Sequence, residues 1–217
     1  MKKTIIFDLD GTLLYTIEDI RDCANKIFKK YGYKEISTKK TLACIGYGAK
    51  KLIRLATGET NENKINAMLE EYVPLQENCK NEKTTVYDGL DGLLKRLKKE
   101  GFTLAIVSNK PDEVTQVVVK QKLGEYGFDF VTGQIPDKFK PKPDKSVIEY
   151  CLKELNADKK HAVYIGDSEV DVNTYKNAGI DGITVLWGYR DEETLLKEGA
   201  ENLAKTPEKV YEIIKSM

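Results

Sequence analysis

The sequence predicts an α/β protein: a doubly wound, parallel-sheet core into which a small all-helical domain is inserted. Short apolar runs rich in β-branched residues alternate with helical patterns over most of the chain, which is typical of a parallel sheet. Residues 16–80 interrupt this alternation, because their apolar residues recur at helical spacing and no strand pattern occurs. We therefore expect a core formed by residues 1–15 and 81–217 and a helical domain formed by residues 16–80.

The predicted elements follow one another in a regular order. The first strand is the apolar run at residues 3–7, and the inserted helices cover about 16–31, 37–58 and 61–78. After residue 84 come a helix over 90–100, a strand at 102–108, a helix over 111–122 and a strand at 128–132. A helix over 144–155, a strand at 162–165, a helix over 170–178, a strand at 182–186 and a terminal helix from 206 complete the pattern.

Charge and cysteine content exclude several classes of protein. The 35 basic and 35 acidic residues cancel, so no global field favours a nucleic acid polymer or an anionic membrane as partner. The apolar run near the N-terminus is interrupted by Asp8 and is too short for a signal peptide. The four cysteines lie far apart without metal-binding spacing. We expect free thiols, a cytoplasmic location, and a monomer or small homo-oligomer.

The stretch from Phe7 to Thr12 carries the first chemical signal. Asp8 and Asp10 follow the first strand, two residues apart, so both carboxylates start from the same side of the chain. Such a pair at a strand end can share a cation, or act as nucleophile and acid. Ordinary turn chemistry is the alternative, since Asp favours loops. An EF-hand loop fits poorly, because Gly11 stands at the fourth position of the stretch that begins with Asp8.

Three later segments supply polar groups that the two carboxylates would need. Ser108 and Asn109 end the next strongly apolar strand, where they can donate to phosphate oxygens or form a simple strand-to-helix turn. The segment 140–144 places lysines between prolines, which suits either a positioned ammonium or a solvated linker. Asp167 and Asp171 follow the strand at 162–165, where Asp can bind metal or cap a helix.

Taken in order, these segments resemble the four motifs of the haloacid dehalogenase-like superfamily. The motifs are Asp8-Leu9-Asp10-Gly11-Thr12, Ser108-Asn109, Lys140-Pro-x-Pro and Gly166-Asp167-x-x-x-Asp171. Further stretches at 87–89, 108–111 and 187–190 resemble the phosphoglycolate phosphatase branch of that superfamily. The insert between the first and second motifs resembles the helical cap of that branch, so the resemblance extends over nearly the whole chain.

The resemblance implies a phosphatase that acts through an aspartyl phosphate. Asp8 would attack phosphorus, and Asp10 would protonate the leaving oxygen and then activate water. Ser108 and Asn109 would bind phosphate oxygens. Lys140 would offset charge on the transferring group, and we prefer it over the next lysine because it directly precedes Pro-x-Pro. Positioning and neutralisation of charge are what phosphoryl transfer requires.

The same resemblance implies Mg²⁺ as cofactor. The ion would bridge the Asp8 carboxylate, the Asp10 backbone carbonyl, Asp167 and the phosphate, while Asp171 would support that shell. An acid at position 10 also favours phosphate esters over the halide and phosphonate substrates of relatives, which carry Tyr or Ala there.

The cap would select the leaving group of a small phosphorylated metabolite. Candidate specificity residues lie in the interruption of the second inserted helix and just after it: Gly46, Tyr47, Lys50 and Arg54. The alternative is a helix start with a solvated face. Phosphoglycolate, nucleoside monophosphates, pyrophosphate and sugar phosphates all remain open as substrates. We expect Trp187 and Tyr189 to pack rather than to border the site.

Three other functions are open at this point. A β-phosphoglucomutase-like phosphosugar mutase shares the motifs and the cap, although such mutases usually have Val or Ile in place of Thr12. A signalling receiver module also accepts phosphate on Asp, but receivers are shorter and lack a cap. A silent binding protein is the third, and it conflicts with the complete set of catalytic positions.

Overall fold

The computed structural model describes residues 3–217, so Met1 and Lys2 of the predicted core lie outside the described part. The strands are β1 (Thr4–Phe7), β2 (Leu14–Tyr15), β3 (Thr85–Val86), β4 (Thr103–Pro111), β5 (Phe130–Gln134), β6 (Ala162–Gly166), β7 (Asp181–Val185) and β8 (Leu203–Ala204). The helices are α1 (Ile17–Lys30), α2 (Thr38–Leu42), α3 (Ala49–Thr57), α4 (Glu62–Glu77), α5 (Leu90–Lys99), α6 (Asp112–Leu123), α7 (Ser146–Glu154), α8 (Glu169–Ala178), α9 (Glu192–Lys197) and α10 (Pro207–Ser216).

Six parallel strands form one sheet in the order β5-β4-β1-β6-β7-β8. The chain therefore starts in the middle of the sheet and builds outward in both directions, which confirms the predicted doubly wound architecture. Because β1 lies between β4 and β6, the carboxyl ends of these three strands meet at one edge of the sheet. The polar residues that follow them are brought together there.

The alternation of side chains along the strands divides the apolar residues between two buried layers. Ile5 and Phe7 of β1 face one layer, which α5, α6 and α10 cover. Ile6 faces the other layer, which α7 and α8 cover. This follows from the two-residue period of a strand, and it explains why β1 is apolar without interruption: both of its faces are buried.

The four helices α1 to α4 have a hydrophobic cluster of their own. Buried residues of this cluster include Ile17, Phe28, Ile53, Met68 and Tyr72. The chain enters the helical segment after β2 and leaves it before β3, and these two short strands pair antiparallel. The two crossings between the helical segment and the sheet are thus held side by side.

Several short elements lie outside the sequence-based prediction. The strands β2 and β8 have two residues each, and α9 has six. Stretches this short contain fewer than two full periods of a helical or strand pattern, so hydrophobic periodicity does not reveal them. Within residues 3–217, no helix combines the length and the apolar character that a membrane span requires.

Candidate active site

The carboxyl ends of β1, β4 and β6 border a pocket that encloses about 620 Å³, its open mouth included. Asp8 from β1, Ser108 and Asn109 from β4, and Asp167 from β6 all line it. The opposite wall comes from the helical segment. The predicted meeting of these strand ends is therefore present in the structure.

A buried lysine of the segment after β5 reaches the carboxylate of Asp8. The Nζ of Lys142 lies 2.7 Å from Asp8 Oδ1 and 2.8 Å from Asp171 Oδ1. Lys142 Nζ also donates a hydrogen bond of 2.7 Å to the hydroxyl of Tyr164. Three oxygen acceptors thus hold the ammonium, which is the number of donors it has.

The preference for Lys140 is wrong. Lys140 is exposed, and the described contacts of this residue are those of its backbone with Ser146. Asn109 explains the difference, because its side chain accepts from the N–H of Lys142 at 2.8 Å and donates to the C=O of Lys142 at 2.9 Å. This pair of bonds draws residue 142, rather than residue 140, into the pocket.

The side-chain amide of Asn109 is fully used in this arrangement. Its Nδ2 also donates to the backbone oxygen of Gly46, at 2.9 Å. Both donors of the amide are therefore occupied, and a phosphate contact from Asn109 would use its backbone N–H. Ser108 differs: its Oγ accepts from the N–H of Lys110 at 3.2 Å, and its O–H remains available to the pocket.

Three buried carboxylates lie close together, and two of them, Asp8 and Asp171, contact the ammonium of Lys142. One oxygen from each of Asp8, Asp167 and Asp171 lies within 4.8 Å of the others. Burial, then the charge of Asp171, raises the pKa of Asp8 well above its usual value despite Lys142. Burial and Asp171 likewise raise the pKa of Asp167 to about 7. The charged forms of Asp8 and Asp167 are therefore disfavoured in the cluster as it stands.

This donor set fits a divalent metal ion. Hard cations such as Mg²⁺ prefer carboxylate oxygens, and an added positive charge would offset the burial and the repulsion that raise the two pKa values. Asp171 is the exception in the cluster. Burial acts to raise its pKa, but the charge of Lys142 and hydrogen bonds from Lys142, Ser168 and Tyr164 outweigh burial and lower it.

Asp167 is oriented by groups that the sequence analysis did not assign. The hydroxyl of Thr12 donates to Asp167 Oδ1 at 2.9 Å, and the backbone N–H of Tyr189 donates to Oδ2 at 2.7 Å. Gly11 has a φ of +92°, and a Cβ at this position would lie 2.4 Å from Asp167 Oδ2. Glycine is thus required at position 11 both for its backbone conformation and for the approach of Asp167.

The side chain of Asp10 is directed away from the other acids. Its Oδ1 accepts from Thr16 Oγ1 at 2.6 Å, and its Oδ2 lies 3.0 Å from the Nζ of buried Lys110. The phenol of Tyr189 accepts from the N–H of Thr16 at 2.8 Å and borders the pocket, contrary to the expectation that Tyr189 only packs. Lys110 is not among the predicted site residues, and its position directly after Ser108-Asn109 is the sequence signal that could have found it.

The predicted specificity residues do not form one group. Gly46 lines the pocket, whereas Tyr47, Lys50 and Arg54 do not. Lys50 and Arg54 both pair with Glu62 of α4, and the side chain of Tyr47 is exposed. The prediction is wrong for Lys50 and Arg54, because the exposed face of α3 that carries them points toward α4 and solvent. Tyr47 precedes α3, and its exposed side chain is outside the pocket lining.

Arg190, from the loop after β7, connects the sheet edge to the helical segment. It donates to the backbone oxygens of Leu42 and Ile45, at 3.0 and 3.1 Å. Its Nε lies 2.7 Å from Glu169. The loop follows a strand at the same edge as Asp8 and Asp167, so the strand-end rule that found those acids also points to Arg190.

Comparison with known proteins agrees with this geometry. The family described as haloacid dehalogenase-like hydrolase matches residues 5–185. A phosphoglycolate phosphatase of Rhodobacter capsulatus is 32% identical over 197 residues, which cover 88% of this chain and 87% of the relative. One from Pseudomonas fluorescens is 28% identical over 206 residues, covering 91% of this chain and 74% of the relative.

Solved structures show the same relationship. A candidate phosphoglycolate phosphatase from Lactobacillus delbrueckii has a TM-score of 0.88 at 31% identity, and the match covers 99% of each chain. A predicted phosphatase from Clostridium acetobutylicum has a TM-score of 0.84 at 26% identity, with all of both chains covered. The expected resemblance and the expectation of a phosphatase enzyme are thereby confirmed. The chain belongs to the haloacid dehalogenase-like hydrolase family.

Proposed function

We propose that this protein is a Mg²⁺-dependent phosphatase that hydrolyses small phosphate monoesters through an aspartyl phosphate on Asp8. The arrangement around Asp8 is the observation that supports the proposal. Its carboxylate ends the central strand, 2.7 Å from a buried ammonium and beside two further buried acids. A nucleophilic carboxylate with an adjacent cation and metal ligands is what transfer of a phosphoryl group to Asp requires.

Asp10 takes the role of general acid and base in this proposal. Its carboxylate is held by Thr16 and Lys110, so its position is set before substrate arrives. It protonates the leaving oxygen while the bond from Asp8 to phosphorus forms. It then accepts a proton from the water that attacks phosphorus, the bond from Asp8 to phosphorus breaks, and phosphate leaves with Asp8 restored as a carboxylate and Asp10 restored as an acid.

Ser108 and Lys142 bind the transferring group. The Ser108 hydroxyl is buried, lines the pocket and keeps its proton available for a phosphate oxygen. Burial acts to lower the pKa of Lys142, but Asp171 and Asp8 outweigh it and raise the pKa above its usual value. The ammonium therefore stays charged and offsets the negative charge of nucleophile and phosphate.

Asp8, Asp167 and the backbone carbonyl of Asp10 are the proposed metal ligands. Asp171 orients this set through its bonds to Lys142 and Ser168. Bound Mg²⁺ would supply a positive charge to the phosphate oxygens. Thr12 and the N–H of Tyr189 hold Asp167 in place for that purpose.

The names of the relatives suggest phosphoglycolate as one substrate. Nucleoside monophosphates, pyrophosphate and small sugar phosphates belong to the same proposal. We further propose that residues 16–80 act as a cap over the pocket. A reducing, cytoplasmic location would suit the four cysteines, which are all free.

The proposal is tested with p-nitrophenyl phosphate. We expect hydrolysis with Mg²⁺, loss of hydrolysis with EDTA, and no turnover in Asp8→Asn. Asp137→Asn is the matched control, since it makes the same chemical change in an exposed loop. Turnover without metal, or turnover in Asp8→Asn, contradicts the mechanism. A panel of phosphate esters, with sugar phosphates monitored for isomers, separates a hydrolase from a mutase.

A further inference from the structure

Two polar side chains of α4 lie on the wall of the pocket opposite the acids. Tyr72 and Gln76 are one helical turn apart, so they lie on the same face of the helix. Only 1% of Tyr72 and 6% of Gln76 is exposed. Both line the pocket that Asp8 and Asp10 line on the other side.

The hydrogen bonds described within residues 3–217 include none from the side chain of Tyr72 or Gln76. Their polar atoms border the pocket and are not sealed from it, since within residues 3–217 the buried side-chain polar atom that lacks a partner is Thr184 Oγ1. They are therefore available to a group of a bound molecule. Burial holds the pKa of Tyr72 well above its usual value, so its hydroxyl keeps its proton. The wall thus presents a phenol and an amide, each able to donate and to accept.

The charges around the pocket indicate what these groups bind. Each cation that lines it is paired with a carboxylate of the protein: Lys110 with Asp10, Lys142 with Asp8, and Arg190 with Glu169. On the helical side, the neighbours of Tyr72 and Gln76 are apolar, and they include Ile20, Ile45 and Leu52. A carboxylate placed there would be buried without a counter-charge, which is costly, whereas a hydroxyl would not.

We propose that Tyr72 and Gln76 bind an uncharged hydroxyl group on the leaving-group side of the substrate. The site then favours phosphate esters of hydroxylated alcohols over esters of plain alkyl alcohols or of hydroxy acids. This inference rests on the proposed phosphatase function and specifies its substrate class. The two residues are specificity determinants, and they take no part in bond breaking.

The test compares glycerol 3-phosphate with propyl phosphate, which has the same carbon chain without hydroxyls, and with 2-phosphoglycolate. For the wild-type protein with Mg²⁺, we expect kcat/KM to be highest for glycerol 3-phosphate, by about tenfold over propyl phosphate. Gln76→Leu and Tyr72→Phe should each lower kcat/KM for glycerol 3-phosphate by about tenfold and change it less than threefold for propyl phosphate. Asn66→Leu, which removes an exposed amide from α4, should change neither.

The outcomes are distinct. If both variants lose equal activity on glycerol 3-phosphate and propyl phosphate, the two side chains support only the fold, and the inference is overturned. A wild-type preference for 2-phosphoglycolate over glycerol 3-phosphate also overturns it. A wild-type protein that hydrolyses neither these esters nor p-nitrophenyl phosphate contradicts the proposed function itself, and the hydroxyl site with it.

Discussion

Replacing Lys142 by methionine removes the ammonium and keeps most of the side-chain volume. Lys142 is 3% exposed, and its Nζ contacts Asp8, Asp171 and the hydroxyl of Tyr164 at 2.7–2.8 Å. The variant therefore leaves two buried carboxylates without their common counter-charge. Breaking a buried ion pair from one side costs about 3–5 kcal/mol, and we expect the free energy of unfolding to fall by about 3 kcal/mol. Protonation of Asp8, whose pKa is already raised, keeps the loss near the lower limit.

The effect on catalysis follows from the same contacts. A unit charge about 4 Å from another contributes about 4 kcal/mol at an effective dielectric constant of 20. Losing that contribution from the transition state lowers kcat/KM by about 10³-fold. The assay is Mg²⁺-dependent hydrolysis of p-nitrophenyl phosphate, and urea unfolding of the same preparations measures the change in stability.

Lys140→Met is the matched control for this experiment. The side chain of Lys140 is exposed, so the substitution should change the free energy of unfolding by less than about 0.5 kcal/mol and kcat/KM by less than twofold. A folded Lys142→Met protein with activity close to wild type would refute the reasoning. So would a Lys140→Met protein that loses activity while Lys142→Met retains it.

Three further perturbations have defined outcomes. Asp10→Asn should lower kcat/KM for p-nitrophenyl phosphate by about 10²–10⁴-fold, and a loss below tenfold would contradict its acid–base role. Gly11→Ala should lower the free energy of unfolding, measured in urea, by about 2–3 kcal/mol, because the added Cβ would lie 2.4 Å from Asp167. Gly32→Ala is the control: Gly32 has a similar φ but open space around it, so this variant should lose about 1 kcal/mol. Equal losses in the two variants would argue against the contact with Asp167. Burial raises the pKa of Cys151 to about 12, so thiol labelling at pH 8 should be more than about 10³-fold slower in the native than in the unfolded protein.

Much of the sheet edge was predictable from residues that are close in sequence. Asp8 and Asp167 directly follow the buried strands β1 and β6, and Ser108 lies near the end of β4. The carboxyl ends of neighbouring parallel strands must meet, so recognising the strands was enough to bring these residues together. The structure places β1 in the middle of the sheet. In the sequence, only the uninterrupted apolar run of β1 indicated this central position.

The choice between two lysines shows where local reasoning stops. Lys140 and Lys142 both precede proline in an extended segment, and nothing within that segment distinguishes them. Asn109, 33 residues earlier in the chain, makes the choice by bonding to the backbone of residue 142. The same limit applies to the helical segment of residues 16–80. Lys50 and Arg54 looked suited to anions, but their ion pairs with Glu62 direct them away from the pocket.

The sequence by itself determined the α/β class, the position of the helical insert and the acids at the strand ends, because each depends on periodicity or on residues beside a strand. Only the tertiary structure decided which lysine reaches Asp8 and which cap residues face it. Those outcomes depend on the rotation of α3 and α4 and on contacts between distant segments. In the sequence, Tyr72 and Gln76 look like ordinary positions of an amphipathic helix, and only the tertiary structure places these two largely buried residues in the pocket that Asp10 also lines.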